Sequence, residues 1–461
     1  MDINLTDWAE AELGTSQLGD ARRTKRLVQL AEQRAAQPTA SIPQACGDAA
    51  ATKAAYRFYA NADFPPQAIL TPHRRATEQR VAQEQLVLAV QDTTILDYTH
   101  HPATQGLGVL NDEFHRGLLV HTTLAVTPQR VPLGLLHQQV WTRAAKDLGK
   151  RHARRTKPVA EKESQKWLTS LTATAAVQQR LPQVRLVSVG DREADVYDLF
   201  LLAQQLSQAL LIRAAWDRRI AHPEGHLWAY LESRPVAGQL TLTVPRRPAQ
   251  PARRAELTLR YTQVTLCPPH NRHTEKLPTL TVWAVLAQEA HPPAGVDAIS
   301  WLLLTTVAIE SFADACARVQ WYTCRWVIEL FHKVLKSGCR IEARQFEKLE
   351  RLQRYLALDT IVAWRILFLT MLGRTLPELP CTAILEAHEW QALYCFIHHT
   401  ATPPAEPPSL REATRWIAQL GGFVGRKSDG TPGVTVMWRG LQRLNDIATT
   451  WQVAHSQIAA T

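Results

Sequence analysis

The spacing of hydrophobic positions changes along the chain, and the changes divide it. Over residues 22–37, RRTKRLVQLAEQRAAQ, apolar Leu27, Leu30 and Ala31 recur at helical spacing behind a basic edge. A second helical stretch, AAATKAAYRFYAN (49–61), follows Asp48, whose carboxylate suits an N-cap. Residues 1–70 therefore read as short helices. From about residue 85 the pattern shifts to strands. QLVLAVQDTT (85–94) is a near-continuous apolar run that stops at an acid, as a buried central strand does. LLVHTTLAVTP (118–128) and VPLGLLHQQVWT (131–142) follow with a short turn between them, predicting an antiparallel hairpin. EKESQKWLTSLTATAAVQQR (161–180) predicts a helix. RLVSVGDREAD (185–195) is a second buried strand ending in an acid, with a helix after it, and ALLIRAAWDRR (209–219) is a fifth strand.

Three antiparallel strands, a helix, then two more strands with a helix between them is the order of a ribonuclease-H-like domain. The predicted fold class is α/β with a mixed five-stranded sheet. Residues 220–306 interrupt it: QLTLTVPR, AELTLRYTQVTL, LTVWAVLAQE and SWLLLTTV are strand-like between Pro- and Arg-rich turns, which predicts a β-rich insertion. Long helices resume near 311, and TATPPAEPPS (400–409) reads as a linker before a last helical segment. The expected layout is a helical N-terminal domain (1–70), a catalytic domain with its insertion (71–370) and a helical C-terminal domain (371–461).

Composition narrows the partners. A formal charge of +10 on 461 residues suits a polyanion, nucleic acid above all, although a basic enzyme with another substrate has the same balance. The seven cysteines form no Cys-x-x-Cys pair, so neither a disulfide framework nor a structural zinc site is indicated. The polar start MDINLTDWAEAELG is no signal peptide. Apolar runs such as IVAWRILFLTMLG are broken by charge, so no membrane span is expected. Reduced thiols in a cytoplasm are the expectation.

Candidate chemistry sits on acids. Asp92 and Asp191 end apolar strands, where a carboxylate is costly unless partnered, and a hard divalent cation is one such partner. Capping a turn is the other reading of each. WYTCRWVIELFHKVLK carries Tyr322, Arg325, Glu329 and Lys336, which at helical periodicity fall within an arc of about 60°. One helix face would then present a phenol, a guanidinium, a carboxylate and an ammonium, unless Arg325 and Glu329 are only a surface i,i+4 pair. Asp97, Glu193, Asp195 and Asp198 are set aside as ligands, Asp97 as lying past the strand end and Asp195 and Asp198 as solvent-facing or capping. Arg22, Arg23, Lys25 and Arg26 cluster at a helix start, either solvated or placed for phosphate contact. TRAAKDLGKRHARRTKP (142–158) carries seven basic residues, and the insertion carries Arg246, Arg247, Arg253 and Arg254.

Taken together the segments resemble a known family. LGDARRTKRLV (18–28), AYRFYAN (55–61), QDTT (91–94), GLLHQQVW (134–141), EKESQKWL (161–168), DREADVY (191–197), WLLLTT (301–306), Y-x-x-R-W-x-x-E-x-F-H-K (322–333) with Lys336 after it, and LGGF (420–423) occur in this order. They are similar to the bacterial DDE transposases of the Tyr-Arg-Glu-Lys branch, the insertion-sequence-four group, and within it to the type of transposon Tn-five. Segment 375–415 matches poorly.

The resemblance implies a role for each matched position. Asp92, Asp191 and Glu329 would hold two Mg²⁺ ions, with Mn²⁺ as a substitute. Tyr322, Arg325, Lys336 and Arg213 would grip phosphates near the scissile bond. Trp301 would stack on a base flipped out by a DNA hairpin, with Trp326 beside it, and His332 and Lys333 would support the site or face DNA. The implied activity is cut-and-paste transposition: nicking, hairpin formation and opening, then joining of 3′-OH ends to target DNA. The implied assembly is a homodimer bridging transposon-end double-stranded DNA, cleaving in trans, with C-terminal helices including RGLQRLNDIATTWQVA (439–454) supplying the contact. A non-cutting DNA-binding relative and a ribonuclease-H-like nuclease without strand transfer are the alternatives. The intact acid trio speaks against the first, and Trp301, Tyr322 and Arg325 against the second.

Overall fold

The computed structural model describes residues 7–147, 161–245, 252–426 and 429–458. Five helices lead: α1 Trp8–Leu13, α2 Ala21–Ala36, α3 Ile42–Cys46, α4 Ala49–Ala60 and α5 Pro66–Val81. The Asp48 carboxylate accepts from the Ala51 N–H at 2.7 Å, so the expected N-cap of α4 is there.

The sheet follows: β1 Leu86–Asp97, β2 Gly108–Val109, β3 Arg116–Val126, β4 Pro132–Trp141, then helix α6 Gln165–Arg180, β5 Arg185–Gly190, helix α7 Tyr197–Gln205 and β6 Ala209–Arg213. β3 pairs antiparallel with β1 and with β4. β5 runs parallel to β1, with Val90 beside Val189, and β6 parallel to β5. β4, β3, β1, β5 and β6 thus lie side by side in that order.

The expected five-stranded unit does not stop at β6. Helix α8 (Leu227–Glu232) is followed by β7 Gly238–Val244, β8 Arg253–Leu266, β9 Leu280–Glu289 and β10 Ser300–Thr305. β10 pairs with β6, and β9, β8 and β7 add on in turn, making one ten-stranded sheet. The insertion strands thus bury the edge that β6 would otherwise expose.

Three boundaries depart from expectation for physical reasons. β1 runs past Asp92 to Asp97, because β3 keeps pairing with it out to Gly117. Asp92 is therefore where the strand leaves the core, not where it ends, and Asp97 lies within it. The fifth strand is shorter than expected: after Arg213 the chain turns, held by Asp195 (below). The expected single helix around Glu329 is broken. α9 (Phe312–Thr323) and α10 (Trp326–Lys333) are separate, with i→i−3 bonds from Arg325, Val327 and Ile328 tightening the junction. Aromatic, Thr and Cys residues from Trp321 to Trp326 hold a helix weakly. A wide i→i−5 turn then covers Val334–Gly338.

A 27-residue helix, α11 (Leu349–Thr375), forms the central rod of the core. Contrary to the expectation from its charges, it is long and apolar enough to cross a membrane by length and composition, but 94% of that window is buried inside the fold. Arg34 of α2 meets its Asp359 at 3.0 Å, Arg354 donates to Phe64 O at 3.0 Å, and the Trp364 indole N–H donates to Pro132 O at 2.7 Å. Helices α12 Ala387–His398, α13 Leu410–Leu420 and α14 Val434–Ile458 close the chain, with Cys381 and Leu385 of the connecting segment buried. A Cβ on Gly440 would lie 1.7 Å from Ile417 O, so only glycine lets α13 and α14 approach this closely. All seven cysteines are free thiols.

Candidate active site

Parallel pairing decides where two acids lie. Asp92 and Asp191 each stand two residues beyond the paired Val90 and Val189, so they leave neighbouring strands at the same sheet edge. The buried run Leu86–Val90 anchors the first. Gly190 ends the second: a Cβ there would lie 2.5 Å from Ala194 Cβ, so glycine lets the chain turn directly into Asp191. Asp191 accepts the Glu193 N–H at 2.9 Å and caps a short 3-10 turn. Asp92 accepts the Thr93 N–H at 2.8 Å. These backbone contacts are those the capping reading expects of both acids.

Glu329 arrives from α10, whose Val327, Ile328 and Phe331 are buried. Arg325, 15% exposed, donates to Glu329 at 2.5 Å and lies 3.6 Å from Asp92. Burial pushes the Asp92 carboxyl up to about 6. The Thr93 N–H and Arg325 pull it back, while the charges of Asp191 and Glu329 raise it further. Three carboxylates thus share one electrostatic neighbourhood, with one guanidinium spanning two of them. Among the described residues no three His, Cys, Asp or Glu side chains gather round a single point at ligand distance. The donor set itself, three carboxylates sharing one guanidinium, suits a divalent cation.

The remaining positions divide. Tyr322 is buried, packs edge-on against Trp301 at 5.2 Å between ring centroids, and bonds with Arg213. Arg213 also donates to Ser300 O at 3.2 Å. Lys336 reaches back to β1, donating to Ile95 O at 3.0 Å and pairing with Glu342 at 3.1 Å. Trp326 is 43% exposed and Lys333 exposed. His332 is different: it is 7% exposed, burial pushes its imidazole down to about 3, and Nε2 has no partner. It faces the protein interior, because its position on α10 is shared with the core-facing Ile328.

Asp195 was expected at the surface or in a cap, and is instead a buried hub. It accepts from the backbone N–H groups of Ala215 (2.8 Å) and Trp216 (3.0 Å), and Arg218 donates to it at 2.8 Å through Nε. Asp198 pairs with Arg272. His121 was not anticipated: opposite Thr93 on β3, it shares a hydrogen bond of 2.9 Å with the Thr93 hydroxyl and sits edge-on to Trp167. No sequence signal distinguishes such residues, since their partners are distant in the chain.

At the N-terminus, Arg22 is fully solvated and paired with Asp20, and Arg23 pairs with Asp63 and Leu18 O, whereas Lys25 is exposed and Arg26 half-buried. Most of the basic 142–158 segment, and Arg246 and Arg247, lie outside the described residues. Arg253 is taken by Glu289, and Arg254 is exposed.

A mixed sheet that delivers acids to one edge beside a buried arginine can hold a divalent cation next to a phosphate. Three family models match the chain in order: Transposase DNA-binding over residues 5–64, Transposase DDE domain over 137–364, and Transposase Tn5 dimerisation domain over 361–459. Together the three matches span most of the chain and support a DNA transposase of the DDE type, with a transposase DNA-binding domain and a dimerisation domain of the Tn5 kind. Asp191 and Glu329 lie inside the DDE match and Asp92 precedes it. A DDE domain implies divalent-metal chemistry.

Proposed function

We propose that this chain is a cut-and-paste transposase of the insertion-sequence-four group that excises through a DNA hairpin, with Asp92, Asp191 and Glu329 as its metal-binding and catalytic trio. The carrying observation is the shared edge: Asp92 and Asp191 on adjacent parallel strands, with Arg325 linking Asp92 to Glu329 of α10. When bound, two Mg²⁺ ions, replaceable by Mn²⁺, supply charge stabilisation at the attacking and leaving oxygens. The protein supplies the rest. Arg325 lies beside the acids, so it moves from carboxylates to a DNA phosphate with little travel, and its planar fork suits that partner. Arg213 and Tyr322 form a bonded pair whose charge and hydroxyl orient a neighbouring phosphate. Trp301, braced by Tyr322, offers a flat face for a displaced base, and Trp326 lies near it on the first turn of α10. Lys333 and Lys336 add positive charge.

The same reading assigns residues 1–70 to transposon-end binding, 71–370 to catalysis and 371–461 to a homodimer contact, with each protomer cutting the end held by its partner. Its place of work is the bacterial cytoplasm, on nucleoid DNA. The test incubates purified protein with a terminal-repeat duplex, Mg²⁺ and a supercoiled target. Hairpins and joined products are expected, and Asp92→Asn, Asp191→Asn and Glu329→Gln each abolish them while duplex binding persists. Binding without cleavage by the unaltered protein, or nicks without hairpins, would overturn the reading.

A further inference from the structure

Among the described residues five aromatic side chains are strongly exposed: Tyr56, Phe114, Trp216, Trp326 and Phe396. Three of them stand at the acid edge of the sheet. Trp326 opens α10, Phe114 lies in the turn beyond the far end of β1, and Trp216 follows β6 by three residues. Trp216 is 65% exposed, so its ring contributes little to the core. Its backbone, however, is firmly held. The Ala214 N–H donates to Leu302 O at 2.8 Å, beside Trp301. The Ala215 and Trp216 N–H groups both donate to Asp195, itself four residues after Asp191 and 3% exposed, and Arg218 locks the same carboxylate. An exposed indole thus sits on a loop tied to the segment after β5 and to β10.

An exposed indole on a held backbone offers a flat, apolar surface to a partner. At an edge that handles DNA phosphates, the flat partner is a nucleobase outside the stack. Resting on the transposase reading above, we infer that Trp216 is a stacking surface for an unpaired nucleobase at the acid edge, separate from Trp301 and Trp326. The base comes either from the transposon end or from distorted target DNA, and the chemistry of recognition is the same.

The test uses full-length protein in EDTA, so binding is read without cleavage. Probes are a fluorescently labelled oligo(dT) strand and a labelled fully paired duplex. Trp216→Ala is expected to weaken oligo(dT) binding roughly 5- to 100-fold and leave duplex binding unchanged, with Trp216→Phe retaining most of the affinity. Unaltered thermal melting confirms that the loop is intact. Equal losses on both probes, or none on either, would overturn the stacking role alone. Unaltered protein that bound neither probe would instead overturn the transposase reading. In a transposition assay, an altered spectrum of insertion sites in Trp216→Ala assigns the base to target DNA. A lower hairpin yield with an unchanged spectrum assigns it to the transposon end.

Discussion

Replacing Asp92 by asparagine should stabilise the metal-free protein. Asp92 is largely buried, and its carboxyl is displaced from an ordinary 3.8 to about 6, chiefly by desolvation. At ~1.4 kcal/mol per pH unit, keeping it ionised in the fold at neutral pH costs about 3 kcal/mol relative to the unfolded chain. Asparagine carries no charge, is nearly isosteric, and keeps an oxygen for the Thr93 N–H. Asp92→Asn should therefore raise the melting temperature in EDTA by a few degrees near neutral pH. The sign with pH is fixed by the raised folded-state value. The protonated carboxyl is the form the fold favours, so that contribution is fully present below 3.8 and is lost as pH rises through about 6. The advantage of the variant should accordingly shrink on acidification and vanish near the ordinary carboxylate value. A thousandfold excess of Mg²⁺ over Kd should reverse the order, because a cation bound only to the native acid trio then adds about 4.1 kcal/mol. Scanning calorimetry across pH, with and without Mg²⁺, measures all three effects. A variant that melts no higher than the parent in EDTA at neutral pH, or a difference independent of pH, would refute the reasoning.

Three further outcomes follow from single contacts. Arg34→Ala leaves Asp359 buried and unpaired and should cost about 3–5 kcal/mol in urea titration; a loss under about 1 kcal/mol would show that α2 is not anchored there. Asp195→Asn removes the charge that Arg218 meets, so amide exchange at Ala215 and Trp216 should quicken at least roughly tenfold, while exchange in β1 stays slow. Because Arg22 and Arg23 already have acidic partners, Lys25→Ala with Arg26→Ala should carry most of the N-terminal electrostatic effect, lowering the slope of log affinity for duplex DNA against log salt by about 2; an unchanged slope would place DNA elsewhere.

The order of the core strands was legible because apolar runs are local: Leu86–Val90 and Leu186–Val189 announce buried strands on their own. The acids were legible for the same reason, since they stand where those runs meet polar residues. What could not be read was anything settled by pairing between distant segments. Asp92 sits within a strand because β3 continues beside it. The insertion joins the main sheet because β10 finds β6. The helix bearing Glu329 breaks at Cys324–Arg325, which periodicity over the full segment does not reveal. His332, expected to support the site or face DNA, and Asp195, expected in solvent or in a cap, are both buried. Neither burial is legible in the sequence, which ranks polar side chains by type while their burial is set by partners far along the chain.

The central rod α11 has a consequence for how such proteins can be recombined. The DDE match ends at residue 364 and the dimerisation match begins at 361, so the seam between two inherited modules falls inside one uninterrupted helix. That helix also carries Asp359 for α2 and a carbonyl-seeking Arg354 for the segment after α4. Exchange at the seam would graft half a hydrophobic rod onto foreign neighbours on three sides. Lineages of this architecture should therefore pass on the rod as a single block, and engineered chimaeras should be joined beyond Thr375, not at the border that sequence matching draws.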